Sequence, residues 1–393
     1  MLIRFGLHYF VLFAVFATIN PYLQLFLRAR GFSNAQIGFL QGIVGLAGVA
    51  GPMVIGYLAD RLGQRRALLM ACLAAFAALM LPLNATSSLA VAAVLAGGVG
   101  FVGRTPIPLT DTLATHELPD PANQYGRVRV WGSLGYVLTL LGIRALGLVN
   151  EQSSTSMAIA MMVPAVLAIF SALPLPDHHR AVDTKAAAAG QAGAFDKVFW
   201  LFLLAAALHQ VGITAHYSFF SLYLHDVVGM KQAGWVWALG SIFELPMIFF
   251  AGRVLRAVGL TAAMVAAMAA VSLRLAIYAL VPVLAAVLAA QALHALTFGL
   301  FHVASIEFLR RKAPPARRGL AMALYMSLVL GLPNLIGSFA GGLVIEHFGY
   351  TVLYLSYAVP PLVGVACLAA VRRRMPPLRP PAVTGACPRT PAP

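Results

Sequence analysis

One charged stretch decides the fold of this chain, because it separates two long apolar runs. It reads Gly56-Tyr-Leu-Ala-Asp60-Arg61-Leu-Gly63-Gln-Arg65-Arg66-Ala-Leu68. Gly63 offers a backbone position without a Cβ atom, and Asp60 stands at the end of the first apolar run. The three arginines can reach carboxylates or the carbonyl ends of neighbouring helices. The pattern predicts a tight cytoplasmic turn between two membrane helices.

The composition excludes an ordinary soluble domain. Of the 393 residues 61% are hydrophobic and only 10% are charged, and the mean hydropathy is +0.86, which indicates a polytopic membrane protein. A net charge of +15 would suggest nucleic acid in a soluble protein. Here we assign all but six of the 27 Lys and Arg to one side of the membrane, the positive-inside pattern, and expect no nucleic-acid partner. The six are Arg28, Arg30 and Lys231 on the other side, and Arg104, Arg144 and Arg274 inside helices.

Twelve stretches reach the roughly 20 residues that a helix needs to cross a bilayer. We predict spans at 5–27, 34–58, 67–84, 88–113, 129–147, 156–176, 197–224, 231–255, 259–280, 283–309, 319–344 and 350–371. An even number of spans puts both termini on one side, which the Arg-rich turns at 59–66, 310–318 and 372–379 share. That side is therefore predicted to be cytoplasmic. The fold class is an all-α membrane protein with twelve transmembrane helices in two pseudo-symmetric six-helix bundles.

The longest polar connection divides the chain into equal halves. We predict an N-terminal bundle at 1–176, a cytoplasmic linker at 177–196, a C-terminal bundle at 197–374 and a disordered cytoplasmic tail at 375–393. The run from Gly252 to Gly259 is a weak copy of the Gly56 turn that lacks the aspartate. Two rocking bundles joined by a flexible linker are typical of a secondary transporter.

Ionisable side chains inside the spans are functional candidates, because each is expensive to place in a membrane. Arg104 and Asp111 lie seven residues apart, on one face of the fourth span. Glu244 and Arg274 are central in the eighth and ninth spans and are expected to neutralise each other. This pair either couples protons and binds substrate, or locks two helices together. Arg104 is either the ligand of a substrate carboxylate or the counter-ion of Asp111.

Polar and aromatic residues recur at helical spacing in three further spans. They are Gln291, His294, Phe298 and His302 in the tenth span, His209 and His216 in the seventh, and Asn20 and Gln24 in the first. Imidazoles titrate near neutral pH, so His294 and His302 suit a proton relay with Glu244 and Arg274. We expect the other polar residues, Arg104 and Phe298 to bind substrate. The alternative for each histidine is a place in the packed core.

The charged turn has a predicted role of its own, a conformational latch between helices. Its members are Gly56, Asp60, Arg61, Gly63, Arg65 and Arg66, with Asp111, Arg127 and Arg129 at the next cytoplasmic connection. The chain shows no metal-ligand cluster, no nucleophile motif and no phosphate-binding loop. We therefore expect no cofactor, no metal and no enzymatic activity.

The Gly56 turn resembles the signature G-x-L-A-D-R-x-G-x-R-R of the major facilitator superfamily, which lies between that family's second and third helices. Three more stretches resemble the branch of the 3-phenylpropionate transporter and of sugar and nucleoside proton symporters. They are Pro108–Ala114 followed by Tyr125–Gly135, then Trp237–Glu244, and then Gln291–His302. The chain departs from the branch at Arg104, and at Ala321–Tyr325, where a glutamine is common. The resemblance implies the two-bundle fold, a central cavity and proton-linked uptake.

The predicted function is therefore secondary active transport, with proton-coupled symport of a small organic solute across a bacterial inner membrane. An aromatic or other carboxylic acid is favoured by Arg104 and Arg274, with sugars and nucleosides left open. The expected partners are the solute, protons and the lipid bilayer, and the protein is expected to be a monomer. One alternative is a proton-driven exporter of drugs or metabolites. A more distant alternative is a membrane receptor that does not transport.

Overall fold

The protein is described here by a computed structural model that covers residues 1–177, 195–314 and 317–374. The predicted tail and nearly all of the predicted linker lie outside these ranges. The helices are α1 (Leu2–Ala29), α2 (Asn34–Leu62), α3 (Arg65–Ala85), α4 (Leu89–Gly103), α5 (Pro106–Glu117), α6 (Pro121–Leu146), α7 (Ser154–Ala172), α8 (Lys197–Asp226), α9 (Gly234–Val258), α10 (Leu260–Leu280), α11 (Leu284–Ala290), α12 (Phe301–Lys312), α13 (Arg318–Tyr325) and α14 (Leu332–Val371). Two π-helical segments, Ala295–Leu300 and Met326–Gly331, join α11 to α12 and α13 to α14.

Within the described ranges, nine helical stretches are long and apolar enough to cross a membrane, and the bent helix α9 is a tenth. The longest of them, Arg318–Arg374, has 57 residues and is broken at Gly349, whose φ of +80° no helix contains, so it holds two spans. Helix α6 has 26 residues but carries three arginines, which lower its hydropathy. With α6 and this division, the helices follow the twelve predicted spans.

The structure differs from the prediction in the fourth and fifth spans. The fourth span, drawn through residues 88–113, breaks at Arg104 and Thr105, where α4 ends and α5 begins with Pro106. The fifth span begins at Pro121 instead of residue 129, because the Asp120 carboxylate accepts a hydrogen bond from the Asn123 N–H and caps the helix. Local capping chemistry outweighs hydropathy at that boundary.

Local sequence determines where α2 begins and where it ends. Helix α2 starts with a capping box, in which the Ser33 hydroxyl and the Gln36 side chain each bond the other residue's backbone N–H. It ends at Gly63, which takes the left-handed conformation with φ +65°. The turn predicted at Gly63 is confirmed.

Successive spans run in alternate directions, which gives the molecule two ends. We call the end that holds Met1 and Arg374 the termini side, and the opposite end, where α1 meets α2 and α8 meets α9, the far side. The predicted Gly56 turn lies on the termini side. Arg144, predicted inside a helix, lies in the last turn of α6 on the far side, where it donates to Gln232 and stacks over Trp235.

Helices of the two halves pack closely in the half of the molecule nearer the far side. A Cβ atom on Gly38 of α2 would come within 2.2 Å of the Ser338 carbonyl of α14, and one on Gly342 within 2.4 Å of the Asn34 carbonyl. Only glycines allow backbones this close. At the other end of α2, a Cβ on Gly56 would meet nothing within 4 Å. The contacts between the halves described here therefore seal the far side.

Candidate functional site

Arg274 is the centre of a buried polar cluster inside the C-terminal half. The residue is 2% exposed, and its Nε donates to the Tyr278 hydroxyl at 2.8 Å. One terminal nitrogen lies 3.0 Å from His294 Nδ1, and the other donates to Gln291 Oε1 at 2.6 Å and lies 3.3 Å from His216 Nε2. Because arginine only donates hydrogen bonds, both imidazole nitrogens act as acceptors here.

Glu244 reaches this cluster through His294. The His294 Nε2 lies 3.4 Å from Glu244 Oε2, and the Glu244 side chain is 15% exposed. Since His294 Nδ1 accepts from Arg274, a neutral imidazole carries its proton on Nε2, towards the glutamate. The predicted direct neutralisation of Glu244 by Arg274 was wrong, because the imidazole of His294 stands between the two charges. Three of the four residues predicted to couple protons, Glu244, His294 and Arg274, do come together, and we call them the relay.

Close helix packing holds this relay in place. A Cβ atom on Gly240 of α9 would lie 3.3 Å from the His294 ring and 3.4 Å from Gln291 Oε1. Gln291 also donates to the Tyr278 hydroxyl at 2.9 Å. The amide and the phenol, which both accept hydrogen bonds from Arg274, are therefore bonded to each other as well. A buried network in which each member has a partner fixes the rotamers of its members.

The predicted stripe of the tenth span forms a column of stacked rings. The ring centroids of His294 and Phe298 are 5.8 Å apart and nearly parallel, and those of Phe298 and His302 are 5.9 Å apart. His302 is exposed and lines a separate cavity of about 480 Å³ towards the termini side, with Arg256 and Glu307. The structure thus places His302 outside the relay, at the end of this column that is nearer the termini side.

His209 does not lie beside His216, although the spacing predicted a shared face. It is 1% exposed, stacks on Phe301 at 3.6 Å between centroids, and its Nε2 lies 3.0 Å from the Thr297 carbonyl. Thr297 belongs to the π-helical segment, in which the carbonyls lose their regular helical partners. His209 therefore packs against the tenth span and supports its local geometry, and its predicted role in substrate binding stays a prediction.

A small cleft between the two halves holds the predicted residues Asn20 and Arg104. Its lining includes Phe16, Asn20, Gln41, Phe76, Arg104, Tyr217 and Asn334. Arg104 ends α4 and is exposed in this cleft, and the Asn20 amide lies 3.5 Å from the Tyr136 hydroxyl. The cleft meets the Arg274 cluster at Tyr217, whose ring lies 6.4 Å from that of His294.

Gln24 was predicted to bind substrate, but it is fully buried and joins the halves. Its amide nitrogen donates to the Tyr217 carbonyl at 3.3 Å, and its Oε1 accepts from the Ser221 N–H at 3.1 Å. These two backbone groups belong to residues four apart in α8, where a side chain that bonds both favours a bend. Gln24 is therefore a structural link between α1 and α8.

Asp111 has partners other than Arg104. It accepts a hydrogen bond of 2.6 Å from the Tyr9 hydroxyl and lies 3.7 Å from Arg129 Nε. The Arg129 guanidinium also stacks over the Phe13 ring at 4.2 Å. The alternative that Arg104 is the counter-ion of Asp111 was wrong, because the helix breaks between the two residues.

The remaining residues of the predicted latch lie on the termini side. Arg65 donates to Asp60 at 2.8 Å, and Arg66 bonds the carbonyls of Leu173 and Leu175 at the end of α7. Arg61 and Arg127 are exposed. These bonds join neighbouring helices of the N-terminal half, and their predicted role as a conformational latch between helices remains a prediction.

A second group of bonds, which we call the far-side clasp, joins the halves around Glu151. Glu151 lies between α6 and α7, and its side chain is 6% exposed. Its Oε2 accepts from the backbone N–H groups of Gln232 and Ala233 at 2.8 and 3.1 Å, and lies 2.6 Å from His225 Nε2. Gln232 has a φ of +66°, a strained value for a residue with a side chain.

Sequence reasoning missed Tyr217, Tyr278, Gln41 and Asn334. Tyr278 follows Arg274 by four residues, a helical spacing that could have found it. The other three are polar or aromatic residues in apolar spans, and only their meeting across different helices makes them part of a cleft. In the described part of the chain, no group of three His, Cys, Asp or Glu residues is arranged to hold a metal ion.

Comparison with known proteins identifies the relatives of this architecture. The sequence profile of the family described as MFS_1 like matches residues 2–356. A maltose permease of Geobacillus stearothermophilus is 26% identical over 380 residues, with 94% of each chain covered. A protein of Escherichia coli described as a probable 3-phenylpropionic acid transporter is 23% identical, covering 89% of this chain and 93% of its own.

Among solved structures, the D323A mutant of the nucleoside transporter NupG superposes with a TM-score of 0.83. The sequences are 17% identical, and the match covers 94% of this chain and 99% of that one. At this identity the likeness shows the fold. It confirms the two-bundle architecture predicted from the sequence, and the family match confirms the resemblance to the major facilitator superfamily.

Proposed function

The chain belongs to the MFS_1 like family, and on that premise we propose that it moves a small organic solute together with a proton through the cleft at Arg104 and Tyr217. The observation that carries this proposal is the relay of Glu244, His294 and Arg274 beside the cleft. A carboxylate held at mid-membrane next to a solute cleft can make solute affinity depend on its protonation. Such reciprocal dependence is what couples two fluxes.

Glu244 is the proton carrier in this proposal. Its side chain is partly exposed, whereas Arg274 is fully enclosed by its partners, so the glutamate is the member of the relay that water and solute can reach. His294 transmits the charge of Glu244 to Arg274. A protonated Glu244 weakens that link and frees the cluster and Tyr217 to adjust around the solute.

The transport cycle alternates between the two halves, which we propose to be bundles at 1–176 and 197–374 joined by the linker at 177–196. The packing at Gly38 and the far-side clasp correspond to a conformation closed on the far side. We propose that the termini face the cytoplasm, that the membrane is a bacterial inner membrane and that the monomer is the working unit. The solute could be a sugar, a nucleoside or a carboxylic acid, the classes named for the relatives.

The test is accumulation by proteoliposomes under an imposed pH gradient. One pH unit stores about 1.4 kcal/mol per proton, so a one-proton carrier concentrates its solute about tenfold. A panel of maltose, uridine and 3-phenylpropionate provides one solute of each class, with protein-free vesicles to correct for diffusion. We expect at least one solute to accumulate with the parent protein.

The variant Glu244→Gln keeps the size of the side chain and removes its titratable charge. We expect it to lose accumulation, to a ratio near one, while it still exchanges labelled for unlabelled solute across the membrane. The matched control is Asp120→Asn, an exposed carboxylate at a helix cap, which should accumulate like the parent. Accumulation by Glu244→Gln at the parent's ratio would show that another group carries the proton.

A further inference from the structure

Arg274 and Arg104 are the two arginines near the cleft, and they differ in whether groups of the protein already bond to the guanidinium. Arg274 donates to Tyr278 and Gln291, contacts two imidazoles and is 2% exposed. Its contact with His294 also connects it to the Glu244 carboxylate, which lies beside the other nitrogen of that imidazole. Four of the five guanidinium hydrogens are already directed at these partners, and the side chain is enclosed by them, so Arg274 is poorly placed to bind the solute.

Arg104 is the opposite case. Its side chain is exposed inside the cleft. Among the residues that the structure describes, no carboxylate lies within ion-pair distance of it, and Asp111 pairs with Arg129 and Tyr9 instead. The other polar side chains that line its cleft are the amides of Asn20, Gln41 and Asn334 and the hydroxyls of Tyr217 and Ser218, all of them neutral. A cation at this depth in a membrane is costly without a counter-charge. The cleft therefore lacks one negative charge.

We propose that the solute is an organic monoanion whose carboxylate pairs with Arg104. This inference rests on the proposed function and narrows its solute class. Arginine is suited to the role because its planar fork binds a carboxylate by two parallel hydrogen bonds. The rings of Phe16, Phe76 and Tyr217 line the same cleft and suit an apolar or aromatic body. The amides supply hydrogen bonds for further polar groups.

The net charges of the empty and the loaded carrier point to the same class of solute. The empty carrier with ionised Glu244 holds two arginine charges and one carboxylate, which leaves one net positive charge in the membrane. The loaded carrier with protonated Glu244 and one bound anion also holds one net positive charge. A neutral solute would instead leave two. Only a monoanion lets both forms cross between conformations with equal charge, and the net movement of anion and proton is electroneutral.

The test compares acids with neutral partners of the same shape. The probe pairs are 3-phenylpropionate with its amide, glucuronate with glucose, and uridine-5′-carboxylate with uridine, each measured by thermal stabilisation of the purified protein. We expect one acid to bind and its neutral partner not to bind. The variant Arg104→Gln should weaken that binding about 10- to 100-fold, the loss expected when charge-assisted bonds disappear. The control Lys197→Gln removes an exposed cation outside the cleft and should bind like the parent.

A second arm measures uptake of the bound acid under a fixed pH gradient, with membrane potentials set by potassium and valinomycin. We expect the initial rate to be independent of the potential. Equal binding of both members of a pair, binding of none of the acids, or full binding by Arg104→Gln would overturn the proposal. Proton-driven uptake of a neutral member would overturn it while the proposed function stands. Arg104-dependent binding without any proton-driven uptake would instead refute the proposed function.

Discussion

The far-side clasp gives a prediction whose size follows from the structure. In the variant Glu151→Gln, an amide oxygen replaces the carboxylate that accepts bonds from the Gln232 and Ala233 N–H groups and contacts His225. Bonds to a charged acceptor contribute about 1.5–3 kcal/mol each, and neutral ones about 1. Because the amide can keep some of these bonds, we take the total loss as about 2 kcal/mol.

That loss acts on the conformational equilibrium, since the clasp exists only while the far side is closed. A change of about 2 kcal/mol alters a two-state ratio about 30-fold. If about 1% of the parent protein is open on the far side, about a quarter of the variant should be open.

The assay is a distance measurement between spin labels on exposed far-side residues of the two halves, Ser87→Cys and Val283→Cys, in a background without native cysteines. The parent should give one short-distance population, and Glu151→Gln should add a longer one of the predicted size. The control Asp120→Asn makes the same chemical change on the termini side. An unchanged distance distribution in Glu151→Gln would refute the reasoning that the clasp holds the far side closed.

Two further predictions concern packing and the buried network. Gly38→Ala should lengthen the same spin-label distance, because its Cβ would come within 2.2 Å of the Ser338 carbonyl; a parent-like distribution would contradict this. Arg274→Met should lower the free energy of unfolding by about 3–5 kcal/mol, as is typical when one partner of a buried charged network is removed. The thermal midpoint of the purified protein measures the loss, and a midpoint equal to the parent's would show that the cluster does not stabilise the fold.

The sequence by itself determined the membrane class, the span pattern and the turn at Gly63. These features depend on hydropathy, charge and local backbone preference, which act over a few residues and are visible in the linear chain. The same holds for the residues of the relay, because an ionisable side chain in an apolar run stands out wherever its partners lie. Glu244, Arg274 and His294 could be identified in this way, and so could the ionisable His216 and the polar Gln291 of the surrounding cluster.

The tertiary structure decided which of these residues meet. It places His294 between Glu244 and Arg274, and it pairs Asp111 with Arg129. It also buries Gln24 and His209 against other helices. Such pairings depend on helix rotation, on breaks such as the one after Gly103 and on the π-helical segment, all of which are set by packing between distant segments. A change in register of one residue turns a side chain by about 100°, so helical spacing within one span cannot specify its partner in another.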